Sequence, residues 1–168
     1  MSNADSGVEF SMTRIFDAPR AQVFATMTEA EHLRQWWGPQ GCSIAVITHD
    51  LQPGGIFHYC MSFAPGVEMH GKFTYQEITP VERVVFHNGF ADADGNYIHY
   101  AMVPDWPLEV SNTLTLEDQG DQTVMRLTSL PVGASDAEII TFKAGHASME
   151  QGFSGMYDVY ASYLASLK

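Results

Sequence analysis

Residues 135–168, SDAEIITFKAGHASMEQGFSGMYDVYASYLASLK, decide the fold. Set at 100° per residue, Phe142, His146, Met149, Phe153, Met156, Tyr157, Tyr160, Leu164 and Leu167 fall on one broad helical face. Lys143, Gln151, Ser154, Asp158 and Ser162 fall opposite. Ser135 with Glu138 has the spacing of a capping box, so the helix is predicted to start just after Pro131. Gly145 weakens helix, and a bend is expected between Lys143 and Gly145. The segment beyond it would run roughly 35 Å at 1.5 Å per residue. One terminal helix with so apolar a face requires a broad complementary surface, and the preceding chain supplies a sheet.

That sheet is read from alternation and turn signals. Val8 to Phe16 alternates Val8, Phe10 and Met12 against Glu9, Ser11 and Thr13, which predicts a half-buried strand. Asp17-Ala18-Pro19 then opens a short helix through Met27, with the proline in its first turn. Thr28 and Glu31 repeat the capping-box spacing ahead of a second short helix, which carries Trp36 and Trp37 and stops at Gly38-Pro39. Six strand-like runs follow, over 42–51, 56–63, 67–78, 83–90, 108–117 and 122–130, divided by Pro- and Gly-bearing turns. Connections this short imply antiparallel neighbours in an α+β domain. Residues 96–107 form one longer connection, in which Trp106 reads as a surface tack or as the mouth of a pocket.

Composition narrows the function classes. A chain of 168 residues that is 45% hydrophobic suits a single domain, over residues 8–168, with residues 1–7 a flexible leader. A net charge of −12 with only eight Lys and Arg argues against nucleic acid and against anionic membranes. No apolar run approaches the eighteen or so residues that span a bilayer, and the polar start lacks a secretion signal, so a cytoplasmic address is expected. Cys42 and Cys60 lie in apolar strand contexts and read as reduced packing residues.

Candidate binding residues come from the predicted inward faces. Phe57, Tyr59, Met61 and Phe63 share a face in one strand, and Val67, Met69, Gly71, Phe73 and Tyr75 in the next; His58, His70 and Lys72 point the other way. The polar interruptions on otherwise apolar faces are Asn88, Asn112 and His146. A buried amide or imidazole without a partner costs on the order of 1 to 3 kcal/mol. These three therefore satisfy one another, or they orient the polar end of an apolar ligand. With Trp37, Phe57, Tyr59, Met69, Phe73, Trp106, Met149 and Phe153 they make the candidate site. The seven histidines show neither H-x-H nor H-E-x-x-H spacing, which predicts no metal site. No phosphate- or dinucleotide-binding glycine motif occurs, and no cofactor is expected. The cysteines and serines lack a nucleophile context.

Several motifs together resemble the heat-shock-protein-90 ATPase activator homologue family of the START-like (SRPBCC) superfamily. They are Asp17-Ala18-Pro19 with Val23-Phe24, Trp36-Trp37-Gly38-Pro39, Leu51-Gln52-Pro53-Gly54-Gly55, Gly71, Pro80 with Glu82-Arg83-Val84-Val85, and Met149-Glu150-Gln151-Gly152-Phe153. Gln52 departs from the Arg often found there. The resemblance implies a helix-grip: a curved seven-stranded antiparallel sheet wrapped around a long C-terminal helix, with two short helices between strands 1 and 2 and a cavity inside. It leaves chemistry open, because the superfamily includes carriers, receptors, cyclases and chaperone cofactors. The reading adopted is binding of a small hydrophobic molecule of lipid, polyketide or aromatic type. One alternative is a cyclase or dehydratase using His146 as acid and base. A second is a chaperone ATPase-activating interaction protein, and a symmetric homodimer stays open.

Overall fold

The computed structural model describes residues 7–168, so all of the expected flexible leader but Gly7 lies outside them. Its elements follow the predicted order. β1 (Phe10–Phe16) leads to α1 (Arg20–Thr28) and α2 (Ala30–Trp36). Then come β2 (Ser43–His49), β3 (Ile56–Ala64), β4 (Val67–Thr79), β5 (Arg83–Ala91), β6 (Val110–Gln119) and β7 (Gln122–Pro131). The chain closes with α3 (Asp136–Ala144) and α4 (His146–Ser166). The seven strands form one antiparallel sheet in the order β1-β7-β6-β5-β4-β3-β2. Hairpins connect β2 through β5, while β1 and β2, consecutive in the chain, occupy opposite edges. α1 and α2 carry the chain between those edges, with α2 against both β2 and α4. Register shifts at Val46/Thr48, Ser62/Ala64 and Tyr75/Glu77 mark bulges, which increase local twist and help the sheet curl.

α4 lies in the hollow of that curl. Its buried residues are Met156, Tyr157, Tyr160 and Leu164. Ser135 and Glu138 form the capping box that starts α3, and Gly145 separates α3 from α4. Tyr160 is the anchor: its ring meets Phe16 of β1 edge-on at 4.8 Å and Trp36 of α2 at 4.5 Å, and its hydroxyl is 2.7 Å from Thr26 Oγ1 of α1. Trp36 Nε1 donates to the Thr26 carbonyl at 2.8 Å. Arg14 clamps β1 to the same helix through Asp158 Oδ1 at 3.0 Å and the Ser154 carbonyl at 3.2 Å.

Three local expectations need correction. Thr28 does not cap α2: it is the last residue of α1, its hydroxyl donates back to the Phe24 carbonyl at 2.7 Å, and Glu29 holds the cap position. Pro19 is the N-cap of α1 and does not lie in its first turn. Phe63 and Val67, 40% and 53% exposed, lie at the β3–β4 tip beyond the Ser62/Ala64 bulge and line none of the hollows described below.

The outer face of the sheet is not all solvated. His58 points away from α4 yet is only 3% exposed, because the turn at Asp92–Asn96 covers it; its Nε2 lies 3.0 Å from His70 Nδ1. Burial first, then His70 and Lys72, lower the His58 pKa, while the Asp92 carbonyl and carboxylate oppose them. The folded chain therefore resists a proton that the unfolded chain accepts near the ordinary value of about 6.5. Stability should be full above that pH and decline as pH falls through it towards the folded value. Urea titrations between pH 8 and pH 5 should show this loss, and His58→Gln should reduce it, leaving the part due to His49, whose pKa burial also lowers; an unchanged slope in the variant would remove His58 from the account.

Candidate functional site

Between sheet and α4 lie three adjoining hollows. The innermost, about 30 Å³, is a crevice bounded by Trp36, Phe73, Phe86, Leu114, Leu127 and Tyr157, with room for a single water. Next to it is a chamber of about 170 Å³ between Tyr59, Met61, Phe90, Trp106, Val110, Met149 and Phe153. The third, about 270 Å³, opens outward past Trp37, Pro39, Met61, Met149 and Met156. Phe153 borders all three, and Tyr59, Met61 and Met149 stand between the two larger ones. They are compartments of one cavity, partitioned by side chains.

Local structure explains why these side chains converge. Met149 and Phe153 are four residues apart on α4 and project from one face of it. Trp37, just past the end of α2, stands perpendicular to Phe73 at 4.9 Å. Trp106 reaches in from the long connection and packs on Phe142 at 5.4 Å, in space that a Cβ on Gly145 would crowd. Gly145 thus divides the two helices and makes room for a cavity wall. Gly71 has the same kind of role. Its pairing with Tyr59 and Phe90 is regular, with no bulge, and a Cβ there would collide with the Tyr59 ring and hydroxyl. The missing side chain lets the phenol lie across β4.

The polar end is a relay across three strands. Asn112, 3% exposed, pairs in register with Ser129 on one side and Phe86 on the other. Ser129 Oγ donates to Asn112 Oδ1 at 2.6 Å, and Asn112 Nδ2 donates to Asn88 Oδ1 at 2.8 Å and to the Val110 carbonyl at 3.1 Å. Asn88 borders both the crevice and the chamber. Burial pushes the Tyr59 phenol up to about 12, against a smaller opposing effect of the Trp37 indole, so the phenol keeps its proton at neutral pH.

Eight of the expected site residues meet at this cavity: Trp37, Tyr59, Phe73, Asn88, Trp106, Asn112, Met149 and Phe153. Three stand elsewhere. Phe57 is fully buried among His49, Tyr59 and Phe73 and borders none of the hollows. Met69 pairs with Met61 further along the sheet and borders none either. His146 is separated from Asn88 and Asn112: its Nε2 lies 2.9 Å from the Val8 carbonyl, its ring contacts Phe10 and Phe142, and it faces a shallow outer groove with Glu9 and Glu150. Ser129 is the residue that sequence reading omits. Its signal is the one that marks Asn112, a polar interruption on an apolar face, here after Met125 and Leu127.

A family model described as activator of Hsp90 ATPase homolog 1-like protein matches residues 17–165. The chain belongs to this family. No curated protein matches it in sequence. Among solved structures, a protein from Mycobacterium smegmatis is 23% identical, with 95% of this chain and 91% of that one aligned at a TM-score of 0.76. A protein from Arthrobacter aurescens is 26% identical over 91% and 83% of the two chains at a TM-score of 0.74. An AHSA1 protein from Silicibacter pomeroyi is 20% identical over 95% and 99% at a TM-score of 0.69. In this member of the activator homologue family, the motif Leu51–Gly55 is a turn: Gly54 has φ +85°, and a Cβ on Gly55 would collide with the Asp50 carbonyl. Among the described residues, no helix is long and apolar enough to cross a membrane.

Proposed function

We propose that this member of the activator homologue family binds a small, mostly apolar molecule in the cytoplasm, seated between the sheet and α4. The observation that carries the reading is the pair of adjoining hollows, about 170 and 270 Å³, which share Tyr59, Met61, Met149 and Phe153 as walls, the smaller of them touching the polar relay at Asn88. An apolar cavity of roughly 150 Å³ admits a benzene-sized ring, so the inner chamber suits one or two fused rings and the outer one a further substituent. Methionines at three positions give the walls adaptable shape. Proton transfer by His146 is the less favoured reading, because that ring faces Val8 and not the cavity.

The test is a thermal-shift series with small fused aromatics, 2-naphthol first, backed by native mass spectrometry. A ligand at about one hundred times its Kd adds roughly 2.7 kcal/mol. For a domain of this size that corresponds to about 5–10 °C in Tm. Such a rise with a one-to-one adduct is the expected result. A flat series across the panel together with a bare protein spectrum would overturn the proposal.

A further inference from the structure

The direction of hydrogen bonding at the cavity's polar end selects a ligand chemistry. Two backbone carbonyls, Val110 at 3.1 Å and Phe86 at 3.4 Å, surround one end of the Asn112 amide, and the Ser129 hydroxyl lies 2.6 Å from the other. Carbonyl oxygens only accept, so the end facing them is Nδ2. Asn88 lies 2.8 Å from that same nitrogen and must turn its oxygen towards it. Its NH2 group is thereby left facing the chamber, and among the described residues no acceptor meets it. The orientation of Asn88 is thus dictated by the backbone of β5 and β6 through a buried neighbour.

A second donor faces the same chamber. The Tyr59 hydroxyl lies over Gly71, whose cross-strand partner is Phe90, so Asn88 is one diagonal step away. Diagonal neighbours in an antiparallel pair are about 7–8 Å apart, within the span that two side chains can close on a single atom. Tyr59 is protonated at neutral pH, and the Trp37 indole at its hydroxyl can only donate, so that neighbour leaves the phenolic proton free to be given to a ligand. No Lys or Arg lines either of the larger hollows, the His70 that borders the chamber turns its Nδ1 to His58 on the outer face, and the chain carries a net charge of −12, so the site favours a neutral ligand over an anion.

We infer that the ligand is a neutral, flat carbonyl compound, an aromatic ketone or quinone, whose oxygen accepts from Asn88 Nδ2 and the Tyr59 hydroxyl inside the 170 Å³ chamber. This rests on the binding reading above and narrows it: the cavity reads an acceptor and discriminates against a ligand without one.

1-Indanone and indane share one bicyclic outline and differ by the carbonyl, which makes them the probes. Both are titrated by calorimetry into the full chain and into Asn88→Leu and Tyr59→Phe. Both should bind the wild-type chain. A donor lost to an acceptor it served costs on the order of tenfold, so Asn88→Leu should weaken 1-indanone about tenfold and Tyr59→Phe about fivefold, with indane changed by less than about twofold. Tyr59→Phe keeps the ring over Gly71 and leaves the Asn88–Asn112 pair intact, so it reports on the donors without disturbing the relay. In the wild-type complex the carbonyl stretching frequency should lie below its value in an alkane solvent, and it should rise in each variant. Binding of both probes with equal losses in the variants, or a carbonyl frequency equal to that in alkane, overturns the inference and leaves the binding reading in place. Failure of both probes to bind the wild-type chain overturns the two together.

Discussion

Tyr160→Ala is expected to remove about 3–5 kcal/mol of stability, the range for an aromatic side chain deleted from a packed core. Tyr160 is fully buried and joins four elements: Phe16 of β1, Thr26 of α1, Trp36 of α2 and its own α4. Truncation would leave an aromatic-sized void and a hydroxyl of Thr26 without its side-chain partner. Folded domains are stable by only about 5–15 kcal/mol, so the loss is a large fraction of the total. Urea unfolding measures it, with Tyr160→Phe as the reference. That variant keeps the ring and forfeits only the hydrogen bond to Thr26, worth about 1 kcal/mol. A loss under about 1.5 kcal/mol for the alanine variant would mean that α4 is not held at this point.

Gly71→Val is expected to abolish ligand binding while the domain stays folded. The backbone of Gly71 is not in the left-handed region, and valine suits a strand, so the substitution is tolerated by β4 itself. The obstacle is Tyr59, whose ring occupies the space that the new side chain needs. The displaced ring has the 170 Å³ chamber to move into, and in doing so it fills it. Overpacking of this kind costs about 1–3 kcal/mol in stability. Affinity for 2-naphthol should fall at least about a hundredfold, since the chamber that would hold the ring system is gone. Calorimetric titration beside a urea curve separates the two effects. Wild-type affinity in a folded variant would place the ligand outside the chamber.

Much of the architecture is legible in the sequence because it rests on local patterns. The period-2 runs and short turns give seven strands, the 3.6-residue stripe gives the terminal helix, and Gly145 and the Ser135–Glu138 pair mark its division and start. The candidate site is partly legible for the same reason: strand phase puts Tyr59, Phe73, Asn88 and Asn112 on one face, and helix phase puts Met149 and Phe153 opposite. Phase does not say how far along a face a residue lies. Phe57 shares its face with Tyr59 but lies deeper, among His49, Tyr59 and Phe73, where no space is left. His146 shares a helical stripe with Met149, yet it is the first residue of α4 and packs against Val8 and Phe10. Register across strands is also invisible in one sequence. Gly71 under Tyr59, and Ser129 beside Asn112, follow from pairings that only the folded sheet brings about.

The central claim, that the cavity between sheet and α4 is the binding site, is tested most directly by the methionines. Met61, Met149 and Met156 border the two larger hollows, whereas Met102 is 78% exposed and Met125 is fully buried in the core. Methyl-labelled methionine NMR during titration with 2-naphthol should move the Met61, Met149 and Met156 resonances together, saturating at one equivalent, with Met102 and Met125 unmoved. Resonances that stay fixed throughout, or a shift confined to Met102, would contradict the account.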